Sequence, residues 1–403
     1  MTSRMKMTLK IYCLTLIAST GLAWTLSYPL YDPTVRFSDL LDYLQKIHHI
    51  SDGAAALMTG DPKFYYGPSA TWIYAFFILP FEYPVIPYLV FGGLASLGGI
   101  LMIIQGLGKE RSTLSIAAVI LTFLCSYPIL YCLDRGNIEI VGATLCACGL
   151  VAFIRRSNHA SAILFGIAIS VKPFPVLFLY LFLRRKLYWD MIVAFATYLV
   201  ANLVSLYYIG PSIWIAYKAL RVASTMFFTD YVTKYHGYQS SFDHSLFSCF
   251  KRLARPFFAG ESLERVLSKA FWVYFVFSLA IAGLSAAYFW RRPTLNQLFA
   301  IVILMVFLPP VSFDYTLIAL LLLWGTYLIH MVQDGARFPL LFLIPLALLM
   351  TPQNYLHFGI AAAFGGQLKA VLLLILLVAA ARIDLPSKLF GDAIPDRVAS
   401  SFT

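Results

Sequence analysis

Asp39 and Asp42 stand three residues apart in FSDLLDYLQKIHHISDG, and Tyr43 and Lys46 extend them into an i, i+3, i+4, i+7 series. If the stretch is helical, all four share one face. A carboxylate beside a second carboxylate has the chemistry of a general base for a hydroxyl. The same acids would equally suit a helix that faces water. Downstream, LDRGNIEIV (133–141) groups Asp134, Arg135, Asn137 and Glu139 between two apolar runs. Glu139 enters a spanning segment, where a charge costs ~2.5–3.5 kcal/mol on insertion scales and so calls for a partner or a purpose. Arg135 or Lys172 would serve as that partner, either in a plain helix-end ion pair or in a site.

Three further stretches carry polar groups. In SVKPFPVLFLYLFLRRK (170–186), Lys172 divides two apolar halves, with Pro173 and Pro175 marking the break. Its amine would bind a phosphate group reaching in from lipid, or would snorkel to the interface. In SFDHSLFSCFKRL (241–253), His244 and Ser245 precede a basic amphipathic run, too little for a nucleophilic triad. In LPPVSFDYTLIALLL (308–322), Asp314 and Tyr315 open an apolar segment, and Asp314 suits a site or a helix cap. No Walker loop, Rossmann glycine pattern or His/Cys metal spacing occurs, so neither a metal nor a cofactor is expected.

The elements that must position these groups are membrane spans. The 403 residues are 60% hydrophobic and 12% charged, against roughly 25% charged in soluble domains. A net charge of +11 invites a nucleic-acid reading. The cations are scattered as short clusters at the ends of apolar runs, which excludes it and fits the positive-inside pattern. The six cysteines read as packing residues, five of them in or beside apolar runs. A disulfide from Cys249 is possible but nothing in the sequence supports it.

Spanning or near-spanning segments are expected at about 9–28, 84–107, 113–132, 138–154, 159–171, 173–184, 187–209, 270–290, 294–309, 314–332, 338–351 and 367–382. Several fall short of the ~20 residues of a simple span. Helices that short need other protein, or a water-filled cavity, around their ends. The N-terminal run is about 20 residues long, against ~7–15 for a signal peptide core, and is read as the first span. The segment 67–82 is read as a juxtamembrane or re-entrant helix on the outer side. Counting from a cytoplasmic N-terminus gathers Arg4/Lys6, Lys109/Arg111, Arg155/Arg156, Arg184/Arg185/Lys186, Arg291/Arg292 and Arg337 inside. Asp39, Arg135, Asn137, Glu139 and Lys172 then fall on the outer face. So do two loops, about 29–66 and 210–269, the second rich in Lys and Arg. The expected fold is all-α, a single transmembrane domain over 1–390 with a short cytoplasmic tail, 391–403.

In order, these motifs are an acidic first loop with D-x-x-x-Y, then YGPSATWIYAFFILP, RGN, S-x-K-P-x-P closed by basic residues, DHSL and P-x-S-x-D-Y. Together they resemble glycosyltransferase family 87, of the GT-C superfamily, and within it the phosphatidylinositol-mannoside mannosyltransferases. The resemblance implies a GT-C-type bundle of about 12 transmembrane helices with outer juxtamembrane helices. It implies a hexosyltransferase in a bacterial cytoplasmic membrane, working at the periplasmic face among membrane lipids. A polyprenyl-phosphate sugar, mannose before other sugars, would be the donor and a glycolipid or glycan the acceptor, with inversion. The family's catalytic acid falls on Asp39. Substrate contacts are implied at Asp42, Tyr43, Tyr66, Arg135, Asn137, Glu139, Lys172, His244, Asp314 and Tyr315. The chain departs from the family pattern at Tyr315, often His, and at His244, usually an amide. The rival readings are a secondary transporter or lipid flippase, and a non-catalytic membrane scaffold. A transporter would show repeated halves and midplane charges; neither is visible here.

Overall fold

The computed structural model describes residues 3–25, 36–59, 66–236, 242–258, 260–334, 339–351 and 364–391. Arg337, the tail from 392, and residues 26–35, 60–65, 237–241 and 259 of the two loops lie outside the described residues. The described chain is helical throughout, with one isolated β-bridge between Asp243 and Phe313.

The helices run α1 (Ser3–Thr25), α2 (Ser38–Leu44), α3 (Gly53–Leu57), α4 (Pro68–Ile78), α5 (Val85–Gly106) and α6 (Thr113–Cys125). Then come α7 (Tyr127–Arg135), α8 (Glu139–Ile154), α9 (Asn158–Val171), α10 (Leu179–Arg184), α11 (Tyr188–Ile209) and α12 (Ile213–Phe227). The last six are α13 (Leu246–Ala254), α14 (Gly260–Phe289), α15 (Thr294–Phe307), α16 (Leu320–Asp334), α17 (Leu340–Leu349) and α18 (Gly365–Arg382). Among the described residues, six helical stretches are long and apolar enough to cross a membrane: 85–106, 113–135, 188–209, 260–289, 314–334 and 365–382. Five shorter apolar helices accompany them. One of these, α15, is buried along its whole length, so the other helices supply the surroundings its short span requires.

Two ends of the bundle differ in chemistry. At one end the loops after α5, α8, α10, α14 and α16 meet the chain beyond α18. Arg184 donates to the carbonyls of Trp290 and Arg292, Arg292 pairs with Asp384 at 2.7 Å, and Arg185 donates to the Phe390 carbonyl. Gln333 reaches the Gly106 carbonyl, and Lys388 donates its backbone N–H to Asp334. At the other end lie α2, the turn between α7 and α8, the break at Lys172 and the entry to α16. The Arg184/Arg185 and Arg292 turns are thus gathered at one end, and Asp39, Arg135, Asn137, Glu139 and Lys172 at the other.

Four boundaries differ from expectation, the first being α1, which begins at Ser3 rather than near 9. Helix α14 begins at Gly260, ten residues early, because GESLERVLSK is amphipathic and continues the helix out of the apolar run. The 113–132 segment breaks at Ser126, where Pro128 in the first turn of α7 restarts the helix. Helix α2 stops at Leu44, so Lys46 leaves the face of Asp39 and turns to Thr59, 3.5 Å away. The break after Val171 is realised as an extended Lys172 followed by a 3₁₀ turn, Phe174–Phe178. All six cysteines, Cys249 included, are free.

Candidate active site

Asp39 sits in the first turn of a seven-residue helix too short to hold itself in place. Its anchor is the end of α7. Phe37 adopts a left-handed backbone with φ of 54° and donates its N–H to the Asp134 carbonyl, while Arg36 pairs with the Asp134 carboxylate at 3.4 Å. That conformation is sterically costly for a residue with a side chain, and persists where surroundings impose it. Gly136 explains the R-G-N order. It ends α7 at φ 68°, and a Cβ there would stand 2.7 Å from the Leu40 Cβ. Glycine meets both demands, the backbone angle and the close approach of α2.

Asn137 is the hub. It is fully buried, and every polar atom of its amide is used. Its Nδ2 donates to Asp39 Oδ2 at 2.6 Å and to the Tyr66 hydroxyl at 2.7 Å, while its Oδ1 accepts the Glu139 backbone N–H at 2.9 Å. Arg135 donates to Asp39 Oδ1 at 3.3 Å. A carboxylate has about four lone-pair sites, so two anchors fix its plane and leave it able to accept another proton. Two tyrosines hold the α7–α8 turn itself. The Tyr74 hydroxyl accepts from Ile138 N–H at 3.0 Å and donates to the Gly136 carbonyl, and Tyr88 donates to the Asn137 carbonyl at 2.8 Å.

Glu139 opens α8, where the positive end of the helix favours an acid. Its partner is Lys172, in close ion-pair contact, rather than Arg135. The Lys172 amine also lies over two rings, Tyr66 at 5.5 Å and Tyr315 at 5.1 Å. The ammonium has three donors, so pairing with Glu139 does not exhaust it. Asp39, Tyr66, Arg135, Asn137, Glu139, Lys172 and Tyr315 therefore form one connected cluster drawn from five separate stretches.

The other candidates stand elsewhere. Tyr43 stacks on Tyr74 at 4.3 Å and belongs to the packing beneath α2. Asp42 is half-buried one turn from Asp39. His244 and Asp314 are fully buried behind Tyr315, where Asp314 pairs with Lys369 at 2.6 Å. Sequence reasoning passed over Lys369. A single lysine inside GGQLKAVLLLILLVAA is the signal that would have found it, because a charge in a span requires a partner.

The chain at 243–251 packs against the Ser312 stretch. Asp243 accepts the backbone N–H groups of Ser245 and Ser312, each at 3.0 Å, and His244 N–H donates to the Ser312 carbonyl. Lys251 donates to the Tyr231 carbonyl, in a π-helical turn, Phe228–Thr233. Burial pushes the Lys251 amine down to about 8, and it pushes the nearby Asp243 carboxyl up.

Next to the cluster are two cavities. One, of about 310 Å³, is an apolar slot between α5, α8 and α16. It starts at Ile140 and Ile318, beside Glu139 and just after Asp314, and runs down α8 to Arg155 and Leu389 at the far end. The other, of about 40 Å³, is lined by Glu139, Lys172, Ser312 and Thr316.

The chain is by class a helical membrane protein with a carboxylate, an amide and two cations joined at one end of its bundle. The model of glycosyltransferase family 87 matches residues 64–312, and the chain belongs to that family. The match contains Tyr66, Arg135, Asn137, Glu139, Lys172 and His244; Asp39, Asp42, Tyr43, Asp314 and Tyr315 lie outside it. A comparison with curated proteins finds no match.

Proposed function

We propose that the chain moves a hexose, with mannose as the first candidate, from a polyprenyl-phosphate donor to a hydroxyl of a glycolipid or glycan. The reaction would take place at the outer face of a bacterial cytoplasmic membrane. The observation that carries the reading is Asp39 held by Asn137 and Arg135 in one network with the Glu139–Lys172 pair. Glu139 is engaged by Lys172 in close ion-pair contact, and Asp39, which accepts from Asn137 and Arg135 and keeps further lone-pair sites, is the proposed proton acceptor. It takes the acceptor's hydroxyl proton as that oxygen attacks the anomeric carbon. The C–O bond to the phosphate breaks in the same displacement, with inversion. Lys172 and Arg135 receive the charge that grows on the leaving phosphate. The apolar slot supports a lipid-linked donor, because it is long and apolar and its lining includes Ile140, the residue after Glu139. Bilayer is as apolar as the slot, so shape and packing, rather than hydrophobicity, would hold a tail there.

The test is a membrane assay with a panel of polyprenyl-phosphate sugars, comparing wild type with Asp39→Asn. Transfer from one donor by wild type, and its loss in the variant, is expected. If wild-type membranes transfer nothing from any lipid-linked sugar above the background of membranes lacking the protein, the reading fails.

A further inference from the structure

Behind Tyr315, five polar side chains form a line that ends at the smaller cavity. Lys369 Nζ bonds Asp314 Oδ2 at 2.6 Å, and Asp314 Oδ1 faces His244 Nδ1 at 3.6 Å. On its other edge His244 Nε2 meets the Ser312 hydroxyl at 3.1 Å and the Thr316 hydroxyl at 3.2 Å, and these hydroxyls are 2.8 Å apart. Lys369, Asp314 and His244 are wholly buried. The line starts in α18, beyond the region the family model matches, and ends on a cavity wall shared with Glu139 and Lys172.

Two features set this line apart from ordinary core packing. Burying an ion pair contributes little to stability, and apolar residues of the same volume often serve as well. The polarity also has a direction. A carboxylate facing Nδ1 favours the tautomer with its proton there, leaving Nε2 as an acceptor. Ser312 and Thr316 then bring two O–H protons to one acceptor nitrogen. One proton satisfies Nε2; the other bonds the neighbouring hydroxyl 2.8 Å away and, by rotation of its C–O bond, can turn to an oxygen in the cavity beside the Lys172 amine.

We propose that Ser312 and Thr316, set by the buried line of His244, Asp314 and Lys369, donate a hydrogen bond to a phosphate oxygen of the lipid-linked donor alongside Lys172. The proposal rests on the donor reading above and assigns a role to residues that reading leaves unused. In the displacement, the electron pair of the breaking C–O bond goes to the phosphate. The hydroxyl answers that charge with a hydrogen bond and keeps its proton. Thr316 and Ser312 touch the substrate; His244, Asp314 and Lys369 are positioning residues, which act through them.

The experiment compares Thr316→Val with Thr316→Ser in detergent-purified protein, using whichever polyprenyl-phosphate sugar wild type accepts. Valine matches threonine in shape and lacks only the hydroxyl; serine keeps it. Thr316→Val combined with Ser312→Ala should lower kcat at least tenfold with little change in acceptor KM. Thr316→Ser should stay within about threefold of wild type. Lys369→Met should fall like the hydroxyl-less variant, and Asp314→Asn with Lys369→Gln, a neutral hydrogen-bonded pair, should recover part of the loss. If the double hydroxyl variant keeps wild-type kcat, the proposal is overturned. The same holds if Thr316→Val and Thr316→Ser lose activity equally, since loss would then track packing. A wild type inactive with every lipid-linked sugar would instead overturn the donor reading itself.

Discussion

Asp39 is poised by its neighbours more than by its own helix, and that makes its role separable from that of Asp42. Asp39→Asn keeps size and hydrogen-bonding capacity but removes the proton-accepting charge. A general base typically contributes ~10²–10⁴-fold, so turnover should fall by that order while the protein still inserts. Asp42→Asn, half-buried and one turn away, should be milder. The reverse outcome in the same transfer assay would move the base to Asp42, and no effect of either would leave Asp39 as a structural partner of Asn137 and Arg135. Much of this cluster was legible in the sequence. Arg135, Asn137, Glu139 and Lys172 are costly in apolar surroundings and announce themselves. What could not be read was pairing, because partners come from distant stretches: Glu139 had two candidate cations, and Asp314 looked like a cap until Lys369 was brought to it. Tyr74 and Tyr88, which bind the α7–α8 turn, carry no charge and so gave no signal among the chain's 25 tyrosines.

At the scale of elements, short pieces held by distant contacts do the positioning. Helix α2 rests on the α7–α8 turn through Phe37, Arg36 and the close approach at Gly136. Gly136→Ala should push Leu40 away and displace Asp39, lowering turnover more than donor binding; kcat and donor affinity measured together would show the split, and an alanine variant with wild-type kcat would refute it. The α13 segment carries a pH signature of its own. Lys251 is depressed to about 8 by burial, against an ordinary lysine value of about 10.4. Between those values the unfolded chain binds more protons than the folded one, so this group's contribution to stability rises with pH there. Thermal unfolding of the purified protein should show that rise from about pH 8 upward, and Lys251→Met should flatten it; an unchanged slope would mean another group is responsible. Periodicity placed most of the long helices, but not the start of α14 or the end of α2. Amphipathic extensions and single-turn stops have no apolar run to mark them, and they are decided by what the chain docks against.

The whole molecule is polarised: one end holds the carboxylate, amide and cation cluster, and the other holds the arginine-rich turns knitted to residues 383–391. Positive-inside reasoning puts the arginine-rich end in the cytoplasm. On the proposed orientation the site would face away from soluble cytoplasmic sugar donors, which is why the donor proposed above is carried on a lipid. The two ends expose suitable probes, Lys218 on α12 at the site end, and Arg155 and Arg291 at the other. Single cysteines at these positions, in a background lacking the six native ones, should react with a membrane-impermeant maleimide on intact cells at position 218 only. All three should react once the membrane is permeabilised. Labelling at 155 and 291 but not at 218 would turn the bundle over, place Asp39 within reach of soluble donors, and remove the reason for a lipid-linked sugar.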